Sequence, residues 1–250
     1  MKSILLSLGP FHLYSYGLMM VLGVMLSLFW MKKQIERDKF CNKNTLYDMV
    51  FFCVISGLVG ARLYYVIQNG AWYRVHPWNA FAVWEGGLVF YGGLISSTLG
   101  LLFFFRAKKI PPLAGFDFMI PYVALTQTFG RIGCFLNGCC FGAYCSFPWA
   151  VSFPGGPEHV HPAQIYESLY TFLLFIFLSA FYPRRNFPGQ IFGLYLILYG
   201  LGRLAIEFFR DGNPMWFFLT WNQWISLGVI AGGAMLIVKE RGEGRGKSEE

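Results

Sequence analysis

The sequence predicts an all-α, polytopic integral membrane protein: a helical bundle of about seven transmembrane helices. Three observations predict it. Hydrophobic residues make up 56% of the 250 positions and aromatic residues 20%, against 13% charged, with a mean hydropathy of +0.48. Apolar runs of about 20 residues, the length that crosses a bilayer, recur along the whole chain. Lys and Arg collect in short clusters between those runs, as membrane topology requires. The net charge of +7, distributed in this way, excludes nucleic acid as the expected partner. Residues 1–238 read as one transmembrane domain and 239–250 as a flexible polar tail.

The elements follow in order. The first span is expected over residues 11–30, followed by Lys32, Lys33, Arg37, Lys39 and Lys43. Lys2 is the only basic residue before it and no small-residue cleavage site follows, so the run reads as a retained span. The second span covers 46–68 and leads into a connection bearing Trp72, Trp78 and Trp84, residues suited to an interfacial belt. The third covers 86–105 and is closed by Arg106, Lys108 and Lys109; the fourth covers 113–130. A loop over 142–162 carries Pro148, Pro154, Gly155, Gly156 and Pro157. Pro162 marks the start of the fifth span, at 164–182, which Pro183, Arg184 and Arg185 end. The sixth covers 189–209, a short loop with Pro214 follows, and the seventh covers 219–238.

Fourteen of the 20 Lys and Arg residues follow spans one, three, five and seven. The positive-inside rule then places the N-terminus outside and the C-terminus in the cytoplasm. Six basic residues oppose that bias: Lys2, Arg62, Arg74, Arg131, Arg203 and Arg210. Arg62, Arg131, Arg203 and Arg210 lie at the outer ends of spans two, four and six. Snorkelling to headgroups explains any one of them, but explains four at one depth less well. Arg203, Glu207 and Arg210 are spaced i, i+4, i+7 and share a helical face. A guanidinium is a planar fork that binds phosphate through two donors, so Arg131 and Arg203 are expected to hold the phosphate of a phospholipid headgroup.

The stretch 130–142, GRIGCFLNGCCFG, holds Arg131, Asn137, four glycines and three of the six cysteines. Cys134, Cys139, Cys140 and Cys145 are spaced C-x4-C-C-x4-C, which is neither a C-x-x-C redox pair nor a zinc ribbon. A structural disulfide, packing thiols, and metal or redox chemistry all remain open readings. In WEGGLVFYGG (84–93), Gly86 and Gly87 suit a helix start, while Gly92 and Gly93 suit close helix contact or close ligand approach, with Tyr91 between the two pairs. HPAQIYES (161–168) loads the entry of span five with polar groups, of which His161 is a candidate for function or a solvated loop residue.

Together these pieces resemble prolipoprotein diacylglyceryl transferases. The resemblance is carried by SYGL (15–18), GARL (60–63), WEGGLVFYGG, GRIG with Gly142, FPWAVSFP (147–154), HPAQIYE and GLGRLAIEFFR (200–210). NQWIS (222–226) is similar to the family's last-span motif. The resemblance implies a seven-span bundle in the bacterial cytoplasmic (inner) membrane, with a cavity open to the outer face. It implies transfer of the diacylglyceryl group of phosphatidylglycerol to the lipobox cysteine of prolipoproteins, as a thioether, with release of glycerol phosphate. Arg131 and Arg203 match the family's phosphate-binding arginines, Glu207 the neighbouring acid, and Tyr16 and Gly142 further functional positions. Asn137, Arg210 and Arg62 complete the expected substrate contacts. No metal and no dissociable cofactor is expected.

Two departures stand out. Tyr91 occupies the position of the family's histidine, and a phenol with an ordinary pKa near 10 is a weak base. His161, or electrostatics alone, is the alternative route to the thiolate. Cys134 stands where many members have Asn, and Cys139–Cys140 lie near an expected acidic residue. The cysteine-rich form reads as a subfamily with a braced outer loop, or as a paralogue with a changed substrate. An outer-face thiol-redox protein is the competing function.

Overall fold

The computed structural model describes residues 4–8, 11–156, 158–210 and 215–246. Lys2, Pro157, Pro214 and residues 247–250 of the expected tail lie outside the described residues. The chain is predominantly helical. Seven helices are long: α1 (Ser15–Asp38), α2 (Lys43–Gln68), α4 (Phe90–Ala107), α5 (Pro112–Asn137), α6 (Ala163–Phe181), α7 (Gln190–Glu207) and α8 (Trp221–Gly246). The short α3 (Gly70–Val75) lies in the connection after α2. The described residues also form two small antiparallel hairpins, β1 (Ile4–Leu8) with β2 (Phe11–Tyr14) and β3 (Met215–Trp216) with β4 (Leu219–Thr220), and short 3-10 turns at Pro77–Phe81, Val83–Glu85 and Tyr182–Arg184.

Several boundaries differ from expectation. Residues 11–14 form a strand, so the first helix starts at Ser15. The third long helix starts at Phe90: Gly86 and Gly87 precede it, at φ +87° and +70°, a left-handed backbone that helices do not continue from. The last helix runs through the basic residues after Val238 as far as Gly246. The largest correction concerns α5, which continues past Gly130 and carries Arg131 and Cys134 within it.

Among the described residues, six helices are long and apolar enough to cross a membrane by length and composition, and the chain is an integral, multi-pass membrane protein. The helix outside that set is α5. Asp117, Thr126, Gln127, Thr128 and Arg131 dilute its hydropathy, and its apolar positions Phe118, Met119, Ile120, Tyr122, Ala124 and Leu125 are buried. A helix covered by protein rather than lipid needs no uniformly apolar surface.

The chain forms two compact units, residues 31–115 and residues 1–30 with 116–250. In the first of these, α2 packs on α4 through small residues. Gly60 faces the Ser96 side chain, and a Cβ on Gly60 would meet the Gly92 carbonyl oxygen at 2.7 Å. Between spans, where lipid and side chains are equally apolar, such close packing is the main source of attachment. The paired glycines of the third span therefore serve helix contact. Gly60→Val is expected to lower the stability of the detergent-solubilised protein by about 1–3 kcal/mol, the usual range for overpacking. A thermal unfolding midpoint equal to that of the parent protein would contradict this packing.

In the other unit, α7 and α8 approach in the same way, with Gly193 against Gly233 and Gly200 against Ile230. The fully buried Asp117 of α5 accepts from the backbone N–H of Gly189 (2.7 Å) and Phe192 (2.8 Å), capping the start of α7. Its negative charge faces the positive end of the helix dipole. Nearer the other end of α5, the Thr128 and Thr171 hydroxyls meet at 3.0 Å and the Ser168 hydroxyl donates to the Thr128 carbonyl, stitching α5 to α6. These contacts fix three helices around the site.

Candidate active site

Arg131 projects from the penultimate turns of α5 and meets Glu167 of α6, Nη2 to Oε1 at 2.8 Å. The acid is 3% exposed and the guanidinium 27%, so the pair sits at the edge of the protein interior. On α7, Arg203 pairs with Glu207 one turn later, Nη2 to Oε2 at 3.2 Å. Glu207 also accepts from the Thr220 hydroxyl and from the Asn222 amide, both at 3.0 Å on Oε1. Thr220 and Gln223 form a reciprocal capping box at the start of α8, with Thr220 N–H to Gln223 Oε1 at 2.8 Å and Gln223 N–H to Thr220 Oγ1 at 3.2 Å. The NQWIS motif thus seats α8 on the Glu207 carboxylate.

Arg131 and Arg203 are each held here by a carboxylate, and Arg203 keeps a donor to spare. Arg203 Nη1 is buried and has no hydrogen-bond partner among the described residues. A buried, unsatisfied donor costs roughly 1–3 kcal/mol, and more when charged, so an anion that fills it is bound strongly. The Tyr199 hydroxyl lies in the field of Glu167, Arg131 and Arg203 together, which joins the two ion pairs into one site. Tyr16 of α1 joins from another side. Gly133 has no side chain where the Tyr16 backbone crosses α5, and a Cβ there would lie 3.2 Å from the Tyr16 Cα. The Tyr16 hydroxyl neighbours Arg131 and the cysteines that follow it.

The segment after α5 closes the site. Gly138, at φ +73°, ends the helix. The buried Gln164 amide donates to the Cys139 carbonyl at 2.6 Å, and Asn137 Nδ2 reaches the Cys139 sulfur at 3.8 Å. Gly142 donates to the His161 carbonyl at 2.8 Å, while Ala143 donates to the Phe209 carbonyl at 2.8 Å. A Cβ on Gly142 would collide with Phe209 O and with the His161 Cβ at 2.7 Å, so only glycine fits. His161 is buried, and its Nδ1 lies 3.2 Å from the Tyr166 hydroxyl, which accepts from Trp149 at 2.9 Å. FPWAVSFP and HPAQIYE therefore form one packed wall, with Phe147 stacked on Trp149 at 4.9 Å.

The cysteines divide. Cys134, Cys139 and Cys140 converge with their sulfurs within 4.8 Å of one another, whereas Cys145 is buried and outside the group. All six cysteines are free thiols. Hydrogen bonds from Cys134 and Cys139, aided by Arg131 and Arg210, hold the Cys140 thiol well below the ordinary thiol range. Arg210 lies beyond the end of α7, so the expected shared face of Arg203, Glu207 and Arg210 is replaced by a turn that brings Arg210 toward Cys140.

Arg62 and Tyr91 belong to the unit of α2 and α4. Arg62 donates to the carbonyls of Asn79 (2.6 Å), Ala80 (2.9 Å) and Gly86 (2.6 Å), and it lines a cleft with Tyr65, Trp72 and Tyr73. Its guanidinium ties down the connection before α4. Tyr91 is half exposed on α4. Sequence reading missed Glu167 and Tyr199, which touch Arg131 from two other helices; the polar load of HPAQIYES was the one available signal for Glu167.

The two arginines are backed by buried carboxylates on helices of a multi-pass membrane protein. The sequence profile of the prolipoprotein diacylglyceryl transferases matches residues 3–239, and the chain belongs to this family. It is 34% identical over 249 residues to the phosphatidylglycerol–prolipoprotein diacylglyceryl transferase of Clostridium tetani, covering 96% of this chain and 98% of that one. It is 37% identical to the enzyme of that name from Desulfotalea psychrophila, over 94% of this chain and 89% of that one. A protein of Clostridium perfringens named as transferase 2 aligns over 100% of both chains at 32% identity. These relationships do not favour the thiol-redox alternative.

Proposed function

We infer that this protein transfers the diacylglyceryl group of phosphatidylglycerol to the lipobox cysteine of prolipoproteins, forming a thioether and releasing glycerol phosphate. The observation that carries the reading is the Arg203 guanidinium, with one nitrogen on Glu207 and the other buried without a partner among the described residues, in the same cluster as Arg131. Displacement at the glyceryl carbon places negative charge on the departing phosphate. Donors aimed there before reaction lower the barrier without reorganising.

Glu167 and Glu207 orient the two guanidinium groups, and the Tyr16 and Tyr199 hydroxyls complete the headgroup site. Asn137 and Gly142 shape the loop beside it, and Arg210 adds charge. Arg62 is kept as a proposed substrate contact and Tyr91 as a proposed participant in the reaction. Seven spans with the N-terminus outside, the C-terminus cytoplasmic and the cavity toward the outer face of the inner membrane accord with the basic clusters after spans one, three, five and seven. The partners are phosphatidylglycerol, lipobox segments and the surrounding lipids, without nucleic acid.

The test is reconstitution of purified protein with labelled phosphatidylglycerol and a lipobox peptide, followed by mass detection of the thioether. Lipid binding without product would reduce the protein to a lipid-binding scaffold. Tyr91→Phe is expected to slow turnover about tenfold, the scale of one hydrogen bond to a charged group. Unchanged turnover would remove Tyr91 from the reaction and direct attention to His161.

A further inference from the structure

The three converging cysteines beside Arg131 are left unexplained by phosphate binding. Their sulfurs come from two structural segments, Cys134 from the last turns of α5 and Cys139 and Cys140 from the loop after it. A tetrahedral zinc ion with Zn–S bonds of about 2.3 Å holds its sulfurs about 3.8 Å apart. The 4.8 Å limit on all three separations therefore requires closure of no more than about 1 Å. A disulfide would use two of the sulfurs and leave the third without a role. The linear spacing matches no zinc ribbon and leaves metal chemistry as one of three open readings; the folded chain supplies the convergence that the spacing hides.

The surroundings match such a site. Asn137 Nδ2 lies 3.8 Å from the Cys139 sulfur, in the position of an outer donor that stabilises a thiolate ligand. Gln164 holds the loop through the Cys139 carbonyl. Three thiolates around a divalent ion leave one net negative charge, and both Arg131 and Arg210 face the cluster. Among the described residues no fourth His, Cys, Asp or Glu joins the three. Three protein ligands and one open position are the pattern of a working zinc site, whereas structural sites are closed by four.

We propose that Cys134, Cys139 and Cys140 bind a d10 divalent cation of the zinc class, and that its open position takes the substrate cysteine as a thiolate. The second half rests on the transferase reading above. The substrate thiol loses its proton to water on binding the ion. Its sulfur lone pair then forms the S–C bond to the glyceryl carbon. The C–O bond to phosphate breaks, and its electron pair leaves on glycerol phosphate beside Arg131 and Arg203. No oxidant or reductant is needed.

The experiment uses the full chain in detergent, stripped with a chelator and then loaded with Zn2+ or Co2+. One equivalent of zinc per chain is expected, falling below one tenth in Cys139→Ser and Cys140→Ser proteins that elute as folded species. The Co2+ form is expected to show sulfur-to-metal charge-transfer absorption. A lipobox peptide with cysteine should alter that spectrum, and the same peptide with serine should not. Stripping should slow thioether formation at least tenfold, with recovery on adding Zn2+. Full turnover by metal-free protein, or a disulfide among the three cysteines in active protein, would overturn the proposal while leaving the transferase reading intact. Metal binding with a cysteine-dependent spectral change but no thioether would support the site and refute the transferase reading.

Discussion

Arg203→Lys is expected to cut diacylglyceryl transfer about 100-fold, the scale on which losing one oriented donor from a charge-stabilising site is felt. The charge is retained, so long-range attraction for the lipid persists. What is lost is the fork. In the structure one terminal nitrogen is committed to Glu207 and the other is unpartnered. A lysine ammonium donates from a single point rather than from a planar fork, so it cannot meet the carboxylate and the phosphate in the same bidentate geometry. Because Glu207 is 1% exposed and already organises the start of α8, the lysine is expected to remain on it. Arg131→Lys should behave alike, since Glu167 stands in the same relation to Arg131. The measurement is the initial rate of thioether formation with saturating lipid and peptide. Rates within twofold of the parent protein for both substitutions would refute the phosphate clamp.

Glu167→Ala is expected to produce the second large effect, on folding and activity together. It leaves Arg131 at the protein edge without its counter-ion. Breaking a buried pair from one side costs about 3–5 kcal/mol, and the 27% exposure of Arg131 places this case near the lower end of that range. The unfolding midpoint in detergent should fall accordingly. A positioning role makes a further demand: kcat should fall more than the apparent affinity for phosphatidylglycerol, because a loose guanidinium still attracts the headgroup but no longer meets the transition state. Glu167→Asp should recover part of kcat. Equal losses in every parameter, without rescue by aspartate, would mark Glu167 as structural only.

The membrane class was legible because it depends on composition and on the length of apolar runs, both linear properties. The Arg203–Glu207 pair was legible for a similar reason, as an i, i+4 relation within one helix. The end of α5 was not. GRIG looks like a helix terminus because glycine often ends helices, yet Gly133 is there to admit Tyr16, and the left-handed residue is Gly138. Glu167 escaped notice because its partner lies on another helix, where periodicity says nothing. The same holds for the cysteines: C-x4-C-C-x4-C does not reveal that three sulfurs meet and Cys145 stays apart. For Arg62, a depth shared with other arginines did not foretell that backbone carbonyls of the connection before α4 take its donors.

The cap that Asp117 places on α7 has a consequence for how the chain is made. Spans enter the bilayer from the ribosome in sequence, and α5 arrives carrying both Asp117 and Arg131. A charged group near a helix centre costs about 2.5–3.5 kcal/mol on insertion, and the cost is smaller for Asp117 and Arg131, which stand nearer the ends of α5 than its middle. Arg131 finds Glu167 as soon as α6 follows, but the N–H groups that satisfy Asp117 belong to Gly189 and Phe192, which are synthesised only after α6 is complete. The nascent chain is therefore expected to keep the Asp117 end of α5 in a polar setting, at the membrane interface or the translocon, until α7 emerges.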